Sequence, residues 1–199
     1  MPTGRVYVSP EGGSYRSVTS VLATLKNDKL QAWKNRVGEK EANRIAEEAR
    51  TRGTAVHTIA EQYLLNDGQW SKGHRPHFLS DFLKIRPFLD THLGTIMGVE
   101  LMLYSDELKA AGTLDLFAEW DGIPTIIDFK TSRRVKKQED IIHYFLQATA
   151  YAIMIKERYG IEVPQFAILI ITDNYGPQVF VKSCDRFIPA TKKIFARVG

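Results

Sequence analysis

Apolar residues recur along this chain with two different spacings, and the change from one to the other divides it near residue 95. Before that point they return every three or four positions, as in Ala55, Ile59, Ala60, Tyr63 and Leu64 and again in Phe78, Phe82, Leu83, Ile85, Phe88 and Leu89. Such spacing gathers them on one face of a helix. It predicts helices over 40–50, 51–65 and 77–92, with Asn66-Asp67-Gly68 ending the second and Pro87 kinking or dividing the third. Further upstream, residues 5–8 predict a short strand and Glu11-Gly12-Gly13 a turn. Ser17 to Ser20 supply N-cap candidates for a helix running to about Lys29.

After residue 95 the apolar runs shorten and fill with β-branched and aromatic residues. Strands are predicted over 99–104, 112–120 and 123–130, then a long and very apolar helix over 138–159 closed by Gly160. Strands at 166–172 and 178–182 flank an Asn174-Tyr175-Gly176-Pro177 turn, and a last helix is expected at 190–198. A buried helix between the third and fourth strands requires a crossover. The expected fold is therefore α/β: a mixed central β-sheet with helices on both faces and a helical N-terminal region. One domain is expected, with 1–95 as the helical part, 96–185 as the sheet core and 186–199 as the C-terminal helix.

One hairpin holds the densest chemistry. Asp121-Gly122 is a two-residue turn signal, because both residues must take positive φ. With that turn at the centre, Trp120 pairs with Ile123 and Asp115 falls opposite Asp128, with Cβ atoms roughly 4.5–5.5 Å apart. Lys130 shares the face of Asp128. Facing carboxylates cost stability, and Thr125, Ile126, Ile127 and Phe129 mark a strand covered on both sides. Carboxylates on such a strand must be paired, metal-bound or in a cleft, and a cation between them is the expectation.

Composition narrows the classes. With 44% hydrophobic and 25% charged residues the chain is an ordinary globular protein, so disorder does not dominate. No apolar run reaches membrane-spanning length and the N-terminus lacks a signal-peptide core, which places the expectation in the cytoplasm with no membrane partner. Cys184 is the single cysteine, which excludes an intramolecular disulfide and a four-thiolate cluster. A net charge of +4 leans weakly towards a polyanionic partner.

Other residues carry chemistry in smaller groups. His143, Gln147 and Tyr151 recur at i, i+4 and i+8 on the apolar helix, and either line a cleft or form an internal network. Gly53 lies one turn before His57, beside Arg52, in a helical pattern where glycine costs roughly 1 kcal/mol relative to Ala. The loop Thr131-Ser132-Arg133-Arg134-Val135-Lys136-Lys137 suits a phosphate backbone or a solvated surface.

Five pieces occur in order across nearly the whole chain: Ser17-Val18-Thr19, Arg52-Gly53-Thr54-Ala55-Val56-His57, Ala111-Gly112-Thr113-Leu114-Asp115, Ile127-Asp128-Phe129-Lys130-Thr131 and Gln147-Ala148-Thr149-Ala150-Tyr151. Together they resemble the PD-(D/E)XK nuclease superfamily. Within it they resemble the RecB-like exonuclease branch, which includes the mitochondrial genome maintenance exonuclease and phage and bacterial relatives. The resemblance implies a restriction-endonuclease-like αβββαβ core and a Mg²⁺-dependent DNA exonuclease that leaves 5′-phosphates, with Mn²⁺ able to substitute. It implies Asp115, Asp128, His57 and the Phe129 carbonyl as metal ligands, and Lys130 as the group that orients or activates the attacking water. Gln147 and Tyr151 would contact DNA, and Arg52, Ser17, Thr19, Arg133, Arg134 and Lys136 join them as expected DNA contacts. Glu100 sits where the branch often carries an acid, and neither it nor His143 receives a role. Several relatives hold an iron–sulfur cluster through four cysteines, so this chain should be a cluster-free member. The expected partner is DNA, as single strands or ends, in a bacterial or phage-infected cytoplasm; no protein partner is indicated.

Two other readings stay open. A non-catalytic nucleic-acid-binding module on the same fold predicts a degraded carboxylate–carboxylate–lysine set, whereas this set is intact. A small-molecule phosphoesterase predicts a closed pocket, whereas the basic loop and helical N-terminal third suggest an extended path.

Overall fold

The computed structural model describes residues 6–8, 12–25 and 28–197. Its elements run β1 (Val6–Val8), β2 (Ser14–Ser17), α1 (Val18–Leu22), α2 (Asp28–Val37), α3 (Glu39–Leu64), α4 (Pro76–His92), β3 (Leu93–Ser105), β4 (Ala110–Trp120), β5 (Ile123–Ser132), α5 (Ile142–Tyr159), β6 (Gln165–Thr172), β7 (Gln178–Ser183) and α6 (Ile188–Ala196). All seven strands of the described residues join one mixed sheet with helices on both faces, as the patterning implied.

The hub of the sheet is β4. One of its edges pairs antiparallel with β3 from Leu93↔Trp120 to Ser105↔Ala110. The other edge is shared. β5 takes Leu116 to Trp120 in the expected hairpin register, Trp120↔Ile123 through Leu116↔Ile127. β2 takes Ala110 and Ala111 in parallel. The residues between, Gly112 to Asp115, lie where these two partners diverge. Beyond β5 the sheet continues to β6 in parallel and β7 antiparallel. At the tip of the hairpin Asp121 and Gly122 have φ of 53° and 76°, as a tight two-residue turn demands.

Two apolar layers sandwich the sheet. Ile126, Ile168 and Ile170 point towards α1, α5 and α6, where Phe145, Met154 and Phe195 are buried. Ile127, Phe129, Leu169 and Ile171 point the other way, onto Val56 and Ile59 of α3 and Phe82 and Leu89 of α4. Cover on both sides explains why β6, and β5 apart from Asp128 and Lys130, read as nearly continuous apolar runs.

Several boundaries differ from those the sequence predicts. The helices expected over 40–50 and 51–65 are one 26-residue helix, α3. A single glycine costs roughly 1 kcal/mol in a helix, which is too little to interrupt a segment held by packing on both flanks. Pro87 does not divide α4, which runs unbroken from Pro76 to His92. It and Leu83, whose carbonyl it leaves unbonded, both lie on the exposed face, where water can serve. The helix expected from Ser17 to Lys29 is the short α1, followed by the separate α2, and Lys26 and Asn27 lie outside the described residues. β3 begins six residues earlier than its apolar run, at Leu93, with register shifts between Leu93, Ile96 and Gly98. β2 (Ser14-Tyr15-Arg16-Ser17) is mostly polar and escapes a hydrophobic pattern. The predicted 5–8 strand is found at Val6–Val8, while Arg5 and Glu11 lie outside the described residues. The long helix starts at Ile142 after a short 3-10 turn, Gln138–Asp140.

One close approach locks α5 to the hub. A Cβ added to Gly112 would lie 2.7 Å from the Tyr151 hydroxyl oxygen and 3.3 Å from its ring, and Tyr151 is only 2% exposed. Gly112→Ala should therefore cost about 1–3 kcal/mol of stability by overpacking, and Tyr151→Phe in the same chain should recover part of it. Urea denaturation of the two single variants and the double variant tests the coupling. Strict additivity would mean that the contact does not hold α5 in place.

Candidate active site

Three elements converge at the divergence on β4. His57 comes from α3, Glu100 from β3 and Asp115 from β4, and each offers a ligand atom within 4.8 Å of the other two. The Leu114 side chain faces the α5 layer and Leu116 the α3 layer, so strict alternation fails at Asp115. Its Oδ2 accepts a 2.8 Å hydrogen bond from the Phe129 N–H, beyond the last pair of the hairpin ladder, Leu116↔Ile127. His57 Nε2 lies 2.9 Å from the Phe129 carbonyl, and Nδ1 lies 3.4 Å from Asp115 Oδ1. A carbonyl only accepts, so Nε2 carries the proton here. The peptides on both sides of Phe129 are thus gripped, the N–H by Asp115 and the C=O by His57.

Glu100 occupies the register position opposite Asp115, between Val99↔Leu116 and Leu101↔Leu114. Its φ is 46°, in the left-handed region. A non-glycine residue there costs on the order of 1–3 kcal/mol, and such strain clusters at functional sites. No patterning signal predicts that twist.

A second cluster lies on the α5 side of β5. Asp128 is 2% exposed. Lys130 Nζ is 2.5 Å from Asp128 Oδ2 as an ion pair, although Oδ2 has no aligned hydrogen bond. Gln147 Nε2 donates to Asp128 Oδ1 at 3.2 Å. Tyr144 and Tyr151 flank Gln147 on the same face of α5, over Lys130 and Gly112 respectively. The α5 stripe that meets the sheet is therefore 144/147/151. The expected His143 lies beside it, half-buried, with its pKa lowered by burial and by Lys130 and Lys136.

Charge divides the two aspartates. Burial pushes Asp128 up to about 6, with Asp115 adding to the rise and Lys130 opposing it. Burial acts the same way on Asp115, but His57, Lys130 and the Phe129 N–H outweigh it and hold Asp115 below its ordinary value. Burial disfavours imidazolium at His57, yet Asp115 prevails and raises its pKa. Lys130 is likewise raised, since Asp128 and Asp115 outweigh its desolvation. Glu100 is raised by burial and by the charge of Asp115.

The remaining predicted residues lie apart from both clusters. Arg52 is spent internally: it pairs with Asp81 at 2.7 Å and with Asp173, and reaches the Ser132 carbonyl at 3.5 Å. These contacts border a cavity of about 680 Å³ lined also by Arg75, Phe78, Lys84 and Thr131. A Cβ on Gly53 would meet nothing nearer than Thr131 Oγ1 at 3.9 Å, so close approach does not explain that glycine among the described residues. Ser17 caps α1, accepting from the Ser20 N–H at 3.4 Å, and its hydroxyl meets that of the exposed Thr19 at 2.7 Å. Arg133 pairs with Glu48, Arg134 is exposed, and the Lys136 main chain is bound on both sides by Gln178.

No family model matches the chain, and no curated protein matches it. Among solved structures it is similar to a Eubacterium rectale protein that carries the provisional name exonuclease, at 12% identity and a TM-score of 0.45, over 73% of this chain and 68% of that one. It is also similar to SSO0001, at 14% identity and a TM-score of 0.34, over 70% of this chain and 74% of that one. Likeness at this level carries no chemistry. Among the described residues no helix is long and apolar enough to cross a membrane.

The donor set fits a divalent cation. Two carboxylates and an imidazole offer ligand atoms within one ion's reach, and the buried Asp128 Oδ2 lacks a hydrogen bond nearby. Oxygen donors with one nitrogen suit Mg²⁺ or Mn²⁺ better than a thiophilic metal.

The raised Asp128 carboxyl makes a pH signature. It holds a proton in the fold that the unfolded chain, at its ordinary 3.8, has already shed. Its contribution to stability is therefore full below 3.8 and is lost as pH rises through about 6. Asp115, lowered, acts below that window, and His57, raised from 6.5, acts above it. Without metal, the wild type should lose on the order of 3 kcal/mol relative to Asp128→Asn between about pH 4 and pH 7. Denaturant titrations of both proteins across this range check it. A constant difference would refute the raised pKa.

Proposed function

We propose that this protein is a divalent-metal-dependent nuclease acting on DNA, and that it works as an exonuclease leaving 5′-phosphates. The observation that carries this reading is the convergence of His57, Glu100 and Asp115 beside the buried Asp128–Lys130 pair. The resemblance of five ordered motifs to RecB-like exonucleases supports it independently. A bound Mg²⁺ would polarise the phosphoryl group and lower the pKa of a water. His57, Asp115 and Glu100 would hold it, with Asp128 and the Phe129 carbonyl as neighbouring oxygen donors.

The chain's own residues divide the remaining work. Lys130 keeps an ammonium beside Asp128, where it can orient the attacking water and balance charge building on the phosphate. Gln147 holds Asp128 Oδ1 and so fixes which oxygen Asp128 offers. Tyr151 is buried, so its part in DNA binding is to support Gln147 and the hub strand. Arg133, Arg134, Lys136 and Thr19 remain proposed contacts to the DNA backbone, and Arg52 and Ser17 shape the elements that carry them. A non-catalytic module would gain nothing from a strained Glu100 beside a buried Asp128–Lys130 pair.

End-labelled single- and double-stranded DNA incubated with Mg²⁺ tests the reaction and identifies the product ends. Asp128→Ala and Lys130→Ala should each abolish cleavage and keep the folded spectrum. Substantial turnover by either would remove these residues from the chemistry. Mn²⁺ should replace Mg²⁺, whereas Ca²⁺ should support binding with little turnover, because its looser coordination aligns the water poorly. Unchanged cleavage in excess EDTA would rule out a metal.

Metal binding can be read without turnover. Calorimetric titration with Mn²⁺ should show at least about tenfold weaker binding for Glu100→Gln and for Asp115→Asn. Equal affinity in the Glu100→Gln protein would transfer its place to Asp128.

A further inference from the structure

Tyr144 belongs to none of the motifs, yet it stands over Lys130. On α5, Tyr144, Gln147 and Tyr151 follow at i, i+3 and i+7, which places them on one face. Gln147 reaches Asp128 and Tyr151 reaches Gly112. Tyr144 completes the row, with its ring centroid 5.2 Å from Lys130 Nζ. The ring is half-buried and packs against the α5-side core.

We propose that Tyr144 is a positioning residue for Lys130, its ring face holding the ammonium in the site alongside Asp128. This rests on the reading of Lys130 as the group that orients the attacking water. A lysine stem has several rotatable bonds, and one carboxylate contact leaves it free to swing about that oxygen. A second anchor from another direction removes that freedom. An aromatic face suits the task, because its quadrupole attracts the cation without accepting its proton. It also leaves the oxygens of Asp128 uncontested, which matters if Asp128 shares its charge with a metal. A merely structural Tyr144 would be replaceable by any apolar side chain of similar reach.

The two explanations separate in Tyr144→Phe and Tyr144→Leu. Phe keeps the ring face and loses the hydroxyl, whereas Leu keeps apolar packing and loses the ring. In the metal-free protein the Lys130 ε-methylene protons should show an upfield ring-current shift in the NMR spectra of the wild type and Tyr144→Phe, and lose it in Tyr144→Leu. In the DNA cleavage assay Tyr144→Leu should lower kcat about tenfold with KM within about twofold, and Tyr144→Phe should stay near wild type. If Tyr144→Leu fails to fold, the unbranched Tyr144→Met takes its place. An unshifted Lys130 signal in the wild type would overturn the contact. Equal kcat in wild type and Tyr144→Leu, or an equal loss in Phe and Leu, would overturn the positioning role. A wild type inert on DNA would overturn the nuclease reading instead, and the Lys130 signal would still decide the contact.

Discussion

A charged pair inside an apolar sandwich governs the architecture. β5 runs through the middle of the sheet with large side chains on both faces, yet carries Asp128 and Lys130 among them. Taking an ion from water into such a place costs several kcal/mol unless it is paired and hydrogen-bonded. Lys130 supplies the opposite charge and Gln147 a donor. Neither fully compensates, because Asp128 remains pushed up to about 6. The pair thus sits in the sheet with its charge only partly balanced.

The accessibility of Asp115 depends on the divergence of β2 and β5 along one edge of β4. Continuous pairing would have sealed Asp115 into the ladder. Instead the ladder stops at Leu116↔Ile127, and the Asp115 side chain takes over as acceptor for the Phe129 N–H. Successive side chains of a strand point to opposite faces, so Asp128 and Lys130 face α5 while Phe129 faces α3. The backbone of Phe129 thus joins two clusters that the sheet would otherwise separate. His57 and Asp115 grip it from one side, while the flanking side chains are held by Gln147 and Tyr144 from the other. A single strand residue, Phe129, therefore lies between the His57 contact and the side chains of Asp128 and Lys130.

Much of this arrangement was legible in the sequence, and the reasons differ by residue. The hairpin register followed from Asp121-Gly122 as far as Leu116↔Ile127, because few residue pairs tolerate two positive φ values. The expected Asp115–Asp128 pair does not form, since the Asp115 side chain accepts from the Phe129 N–H instead. The covered character of β5 followed from its nearly continuous apolar run, Thr125, Ile126, Ile127 and Phe129. Glu100 was not legible as a partner of Asp115, since its position depends on a local left-handed twist and on a strand whose start at Leu93 no periodicity announces. Tyr144 was hidden for another reason. An i, i+4, i+8 count selects His143, whereas the helix face that meets the sheet follows i, i+3, i+7 back from Tyr151. Arg52 was misplaced by its chemistry: a cation in a motif suggests a phosphate, but its donors are taken by Asp81, Asp173 and Ser132, which lie far away in sequence. Long-range pairing of this kind leaves no local trace.

The same long-range pairings set how far the site can move. Arg52 and Lys84 together tie α3, α4 and the end of β6 through Asp81, Asp173 and the Thr172 carbonyl. This quartet lies just over one helical turn from His57, so it sets the depth at which α3 presents the imidazole. On the opposite face, Tyr151 against Gly112 sets the height of α5 over the sheet. The two clusters are thus bounded by one polar lock and one steric lock, the second of them made by Tyr151 beside Gln147. Glu100 joins an exposed acid to a strained backbone at a position flanked by the Val99↔Leu116 and Leu101↔Leu114 pairs.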